Sequence, residues 1–100
     1  MNNYPTITVE APNYGWRVKC WEISEGESEE LGAASATGDH DKVLDIIAGL
    51  IIEWNCTDRN GNPLPKTREG LKMMPKSVLT EIITGMAAGK ATMDPNSATA

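Results

Sequence analysis

Asp58, Asn60, Asn62 and Glu69 stand at positions one, three, five and twelve of a calcium-loop spacing, the donor pattern in this chain closest to metal chemistry. The pattern fails at its sixth position, where the loop must bend sharply. Pro63 stands there, and its fixed φ cannot supply the bend. Only two of the four donors are carboxylates, and Lys66 fills the ninth position. Turn formation by Asn60-Gly61 explains these residues without a metal, and none is expected. His40 lies between Asp39 and Asp41 but has no second His or nearby Cys at zinc-ligand spacing. It is also the one imidazole available to Cys20 and Cys56, so no specific nucleophile–base pair can be assembled. Gly85 to Lys90 lacks the spacing and the following Ser or Thr of a phosphate loop. No cofactor and no enzyme activity are expected.

The elements that would position these residues follow from hydropathy. Thr6 to Glu10 and Trp16 to Cys20 alternate apolar and polar, with turn formers between them, which predicts a β-hairpin. Trp16, Val18 and Cys20 then share one face, with Trp21 on the other. A lone hairpin is marginal in water, so that face should lie on helices. Residues 24–38 are acidic and then small, and predict a mobile loop. Asp39 or Asp41 can cap a helix whose stripe of Val43, Ile47, Leu50 and Trp54 runs to near Asn55. A stiff turn through Asn60-Gly61 and Pro63-Leu64-Pro65 follows, then a short turn of helix capped by Thr67. A last helix runs from Pro75 to about Ala88, stopped by Gly89, with a flexible tail over 91–100. The expectation is one α+β domain over residues 1–90, an N-terminal β-hairpin packed on two or three α-helices.

Composition narrows the function further. The chain has 100 residues, no Phe and a net charge of −5, so non-specific nucleic-acid binding is disfavoured. Charge is uneven: residues 1–58 carry eleven acids and three bases, and residues 59–100 carry three acids and six bases. Such a split can steer the chain toward a partner or a second copy, or merely solvate two faces. The opening Met1-Asn2-Asn3-Tyr4-Pro5 has neither basic head nor apolar run, so no signal peptide is expected. No stretch reaches the length of a membrane span. Free thiols at Cys20 and Cys56, and an inert sequon at Asn55-Cys56-Thr57, follow from that expectation. Met73, Met74 and Met86 offer either adaptable contact surface or ordinary core, and core is the simpler reading.

The segment from Ile51-Ile52-Glu53-Trp54-Asn55 through Asp58-Arg59-Asn60-Gly61-Asn62-Pro63-Leu64-Pro65 to Thr67-Arg68-Glu69-Gly70-Leu71 resembles small tail-region proteins of long-tailed bacteriophages. In that group a helix ends in Trp-Asn, followed by an Asp-x-x-Gly-x-Pro turn, a Thr-x-Glu cap and a Leu-Pro-led helix. Met74-Pro75 stands here where Leu-Pro is usual. The group is similar to phage tail assembly chaperones, and Tyr14-Gly15-Trp16-Arg17-Val18 before an acidic spacer also resembles their front. Cys56 and Arg59 depart from the more acidic turn of the group. The motif is structural rather than catalytic. By the resemblance, Trp54 anchors the turn, Asn55 caps the helix, Asp58, Gly61 and Pro63 shape the turn, and Thr67 starts the next segment.

The resemblance implies a chaperone in the cytoplasm of the bacterial host that holds tape-measure or tail-tube subunits without entering the finished particle. Val78, Leu79, Ile82, Ile83 and Met86 of the last helix, with the acidic spacer, are the expected partner-binding surface. Two alternatives stand beside it. One is an acidic inhibitor of a host defence nuclease, using Glu22, Glu25, Glu27, Glu29, Glu30, Asp39 and Asp41 as a mimic of nucleic acid if the spacer is ordered. The other is a small structural subunit of the tail.

Overall fold

The computed structural model describes residues 4–88. Strands β1 (Thr6–Ala11) and β2 (Trp16–Trp21) form the expected hairpin around a 3-10 turn, Pro12–Tyr14. Their register pairs Val9 with Val18 and Ile7 with Cys20. One face carries Val9, Ala11, Val18 and Cys20, all buried. The other is polar: Glu10 lies opposite Arg17, with Glu10 Oε2 and Arg17 Nε 3.6 Å apart, and Thr8 lies opposite Lys19. That alternation is what an antiparallel sheet with one solvated face requires.

Residues 24–38 are not a loop. Helix α1 (Glu25–Thr37) occupies them, opened by Ser24 and closed by Gly38 in a left-handed conformation. Ser24 and Glu27 make a reciprocal capping box: Oγ of Ser24 accepts from the Glu27 N–H, and the Glu27 carboxylate accepts from the Ser24 N–H. The box satisfies two N–H groups that a helix start otherwise leaves unpaired. Leu31 and Ala34, three residues apart, are the buried residues of α1. The sequence hid this helix because its apolar stripe is only that wide.

Helix α2 (His40–Leu50) is capped by Asp39, whose side chain accepts from the Lys42 N–H. The expected helix to near Asn55 ends earlier, at Leu50. Ile51–Trp54 is instead strand β3, antiparallel to β2, so the sheet has three strands in the order β1-β2-β3. Ile51, Ile52 and Trp54 are β-branched or aromatic, and a third strand extends a hairpin that is marginal alone. Leu50 and Trp54, four residues apart, fit a period of two as well as one of 3.6, which is why the stripe read as helix throughout. The ladder pairs Lys19 with Glu53 and Cys20 with Ile51, leaving Ile52 as the extra residue of an irregularity.

Helix α3 (Arg68–Lys72) begins at Thr67, whose Oγ1 accepts from the Gly70 N–H at 3.4 Å. Helix α4 (Lys76–Ala88) follows Pro75, whose carbonyl accepts from the Leu79 N–H. The expected stop at Gly89 and the tail over 91–100 lie outside the described residues. Helix α4 packs on β1, and α2 packs on α1 and α3. The resulting α+β core joins Val9 and Val18 of the sheet to Leu44, Ile47, Leu71, Val78, Ile82 and Met86 of the helices. No described helix is long and apolar enough to cross a membrane.

Candidate functional site

The segment from Trp54 to Thr67 is tied down residue by residue. The Trp54 indole Nε1 donates to the Leu64 carbonyl at 2.9 Å, and the Leu64 N–H donates to the Cys56 carbonyl at 3.1 Å. Trp54 therefore anchors the far end of the turn, from a strand rather than a helix. Asn55 does not cap a helix, because α2 has already ended. Its Oδ1 accepts from the Arg17 N–H at 2.7 Å and its Nδ2 donates to the Gly15 carbonyl at 3.1 Å. Those two bonds fasten the end of β3 to the start of β2. The same amide that would carry a sugar in the sequon is committed to the fold.

Asp58 turns its carboxylate inward on its own loop. Its Oδ1 accepts from the Asn60 N–H at 2.8 Å and the Asn62 N–H at 3.0 Å. The Asn62 N–H first, then that of Asn60, holds the Asp58 carboxyl below its ordinary range. Gly61 takes the left-handed position of the turn at φ 84°, and Pro63 bridges to Thr57. Among the described residues, no group of three or more His, Cys, Asp or Glu is placed to hold a metal. Gly70 ends this module: a Cβ there would run into the Pro65 carbonyl oxygen, so only glycine fits.

The five residues of α4 expected to bind a partner divide. Val78, Ile82 and Met86 are core, at 0%, 0% and 1% exposure. Leu79 and Ile83 are half-buried at its margin. The first three reach a partner only if α4 leaves the sheet, while the last two are accessible as the fold stands. The methionines divide too, with Met74 and Met86 buried and Met73 57% exposed.

Met73 belongs to a groove of about 320 Å³ that the sequence did not disclose. Tyr14 and Trp16 from the hairpin line one side, and Met73, Met74 and Pro75 from the α3–α4 junction line the other. The two rings lie 5.3 Å apart and 30° from parallel, and Tyr14 is 47% exposed. Asp58 and Arg59 complete the wall. Tyr14 and Met73 are fifty-nine positions apart in sequence, and the packing of α4 on β1 brings their elements together. The available sequence signal was that Tyr14 follows no apolar alternation and so needed no place in the core.

Cys20 and Cys56 are buried free thiols. Burial pushes Cys20 from 9.0 up to about 11 and Cys56 up to about 12, so neither is a nucleophile near neutrality.

No family model, curated protein or solved structure matches this chain.

Proposed function

We propose that this chain is a non-catalytic protein-binding protein of a bacteriophage, similar to tail assembly chaperones, that holds tape-measure or tail-tube subunits in the host cytoplasm during tail assembly. The observation that carries this reading is the apolar groove between Tyr14, Trp16, Met73 and Pro75. It offers two aromatic faces and an exposed, adaptable thioether, which suit an apolar side chain of an unassembled subunit. The groove borders the Trp54–Thr67 segment that carries the resemblance. Leu79 and Ile83, half-buried on α4, are further apolar side chains accessible to a client. The test is to produce the chain together with candidate tail-tube and tape-measure proteins. A soluble complex that survives high salt and is lost in Met73→Glu supports the reading. Clients that stay equally insoluble with and without the chain overturn it.

A second reading is favoured by a separate observation. Helix α1 orders the acidic spacer, leaving Glu25, Glu29 and Glu30 exposed and without ion pairs among the described residues. A nucleic-acid mimic that inhibits a host nuclease needs such carboxylates at fixed positions. Its complex would dissolve as salt rises, since exposed charges are screened within about 8 Å at physiological ionic strength.

A further inference from the structure

At the end of the sheet where β2 leads into α1, Tyr4 and Trp21 meet edge to face, with ring centroids 5.8 Å apart and planes at 86°. Their place is fixed by the backbone: the Glu22 N–H donates to the Pro5 carbonyl at 3.0 Å, carrying the β1–β2 ladder one step past Thr6 and Trp21. The two perpendicular rings form one corner of a groove of about 420 Å³. Glu22 and Glu27 stand in its wall, with Gly49 and Leu50 from the end of α2. Glu27 is held rigidly, because its carboxylate also accepts from the Ser24 N–H.

The electrostatics of this groove are one-sided. Among the described residues, no Lys or Arg lines it. Between Lys19 and Lys42 the chain carries Glu22, Glu25, Glu27, Glu29, Glu30, Asp39 and Asp41 and no Lys or Arg. Of these seven, only Asp41 is neutralised within the described residues, by Lys72. Aromatic faces attract a cation through their quadrupole, and adjacent carboxylates supply the counter-charge. A guanidinium also lies flat on an indole, which a free metal cation cannot do.

We propose that the groove between Tyr4, Trp21, Glu22 and Glu27 is a binding site for an arginine or lysine side chain presented by a partner protein. The site is separate from the Tyr14–Met73 groove and does not depend on the tail-assembly reading.

The probe is a capped peptide, Ala-Gly-Arg-Gly-Ala, titrated into the isotope-labelled full chain, with an otherwise identical citrulline peptide as the uncharged control. The Trp21 indole N–H signal, identified by its loss in Trp21→Leu, is the readout. The arginine peptide should move that signal and the Ser24 and Leu50 amides, and saturate. The citrulline peptide should bind about fivefold more weakly or worse, and Glu22→Gln should weaken the arginine peptide about threefold or more. If Trp21→Leu does not fold, Glu22→Gln carries the comparison alone, since the Glu22 side chain holds no ion pair among the described residues. Equal binding of the two peptides, or shifts confined to other parts of the chain, overturns the proposal. So does a concentration-dependent shift of the Trp21 signal without peptide, which would make the occupant a second copy. Client binding that survives Glu22→Gln leaves the tail-assembly reading standing whichever way the peptide result falls.

Discussion

Single side chains carry much of the organisation between Trp54 and Thr67, and each works by satisfying backbone groups. Trp54 is the clearest case. Removing its indole N–H leaves the carbonyl of buried Leu64 without that donor. Trp54→Phe is therefore expected to cost about 1–3 kcal/mol, the penalty for an orphaned buried acceptor, measured by denaturant unfolding. Asp58 makes a pH-dependent contribution of known sign. Its carboxyl is held low in the folded chain by the Asn62 and Asn60 N–H groups. Its contribution is whole above the ordinary carboxylate range and is lost as pH falls through the depressed folded value. Asp58→Asn, which keeps an acceptor oxygen but does not titrate, should flatten the acid limb of a stability–pH profile. The thiols act at the opposite end. Both are raised by burial, so stability is intact below about pH 9 and declines toward the folded values of about 11 and 12. A thiol reagent at pH 8 should label neither cysteine until the chain is unfolded.

Among the three longer helices, α1 is the least committed to the core, while α2 and α4 each bury four residues. Two residues of α1 are buried, against Val78, Ile82, Gly85 and Met86 of α4. Gly26 and Gly32 sit within α1 with nothing near where a Cβ would go. Gly32→Ala should stabilise the chain by about 0.5–1 kcal/mol, and Ser24→Ala should cost about 1 kcal/mol through the lost cap. Amide hydrogen exchange would report both at α1 itself, with Ser24→Ala exchanging faster there. For α4 the consequence concerns how binding is tested. Ile82→Ala should lose about 2–5 kcal/mol, so its effect on a partner would be confounded with unfolding. Leu79→Ser and Ile83→Ser change accessible side chains and are the cleaner probes of that surface.

The element scale also separates what was legible in the sequence from what was not. The hairpin was legible because β1 and β2 alternate strictly and are divided by Pro12 and Gly15. The cap at Asp39 and the start at Thr67 were legible because their side chains act within three residues. Helix α1 was misread from composition, although Ser24 and Glu27 spell a capping box. Strand β3 was misread because periodicity cannot see the partner strand that decides it, and β2 lies more than thirty residues away. The same distance explains the candidate sites. The motif residues Trp54, Asn55, Asp58 and Thr67 act locally or on the adjoining hairpin. Both grooves, by contrast, join elements far apart in sequence, Tyr4 with Leu50 in one and Tyr14 with Met73 in the other, and no spacing rule connects them.

At the scale of the molecule, the uneven charge of the two halves acquires an internal use. Asp41 Oδ1 lies 2.9 Å from Lys72 Nζ, and Asp45 Oδ2 lies 3.2 Å from Arg68 Nη1. Two acids four residues apart on α2 thus meet two bases four residues apart on α3 in reversed order, so the helices run antiparallel with one ladder between them. Lys72, by hydrogen bond and charge, holds the Asp41 carboxyl low. The acidic and basic halves attract each other here, and part of the asymmetry is spent on docking α3 rather than on a partner. What remains uncompensated is concentrated in Glu22 and the acids of α1, beside the Tyr4–Trp21 corner. This division of labour predicts opposite outcomes for two reversals. Lys72→Glu should lower the denaturation midpoint, because Asp41 then faces a like charge, and the double reversal Asp41→Lys with Lys72→Glu should restore it. The gap should close near 1 M salt, where charges are screened within about 3 Å. Glu29→Lys together with Glu30→Lys should leave the midpoint almost unchanged, since neither acid has an ion-pair partner among the described residues. If that second pair of changes lowers the midpoint as far as Lys72→Glu does, the acids of α1 serve the fold, and their availability to a partner is lost as an explanation.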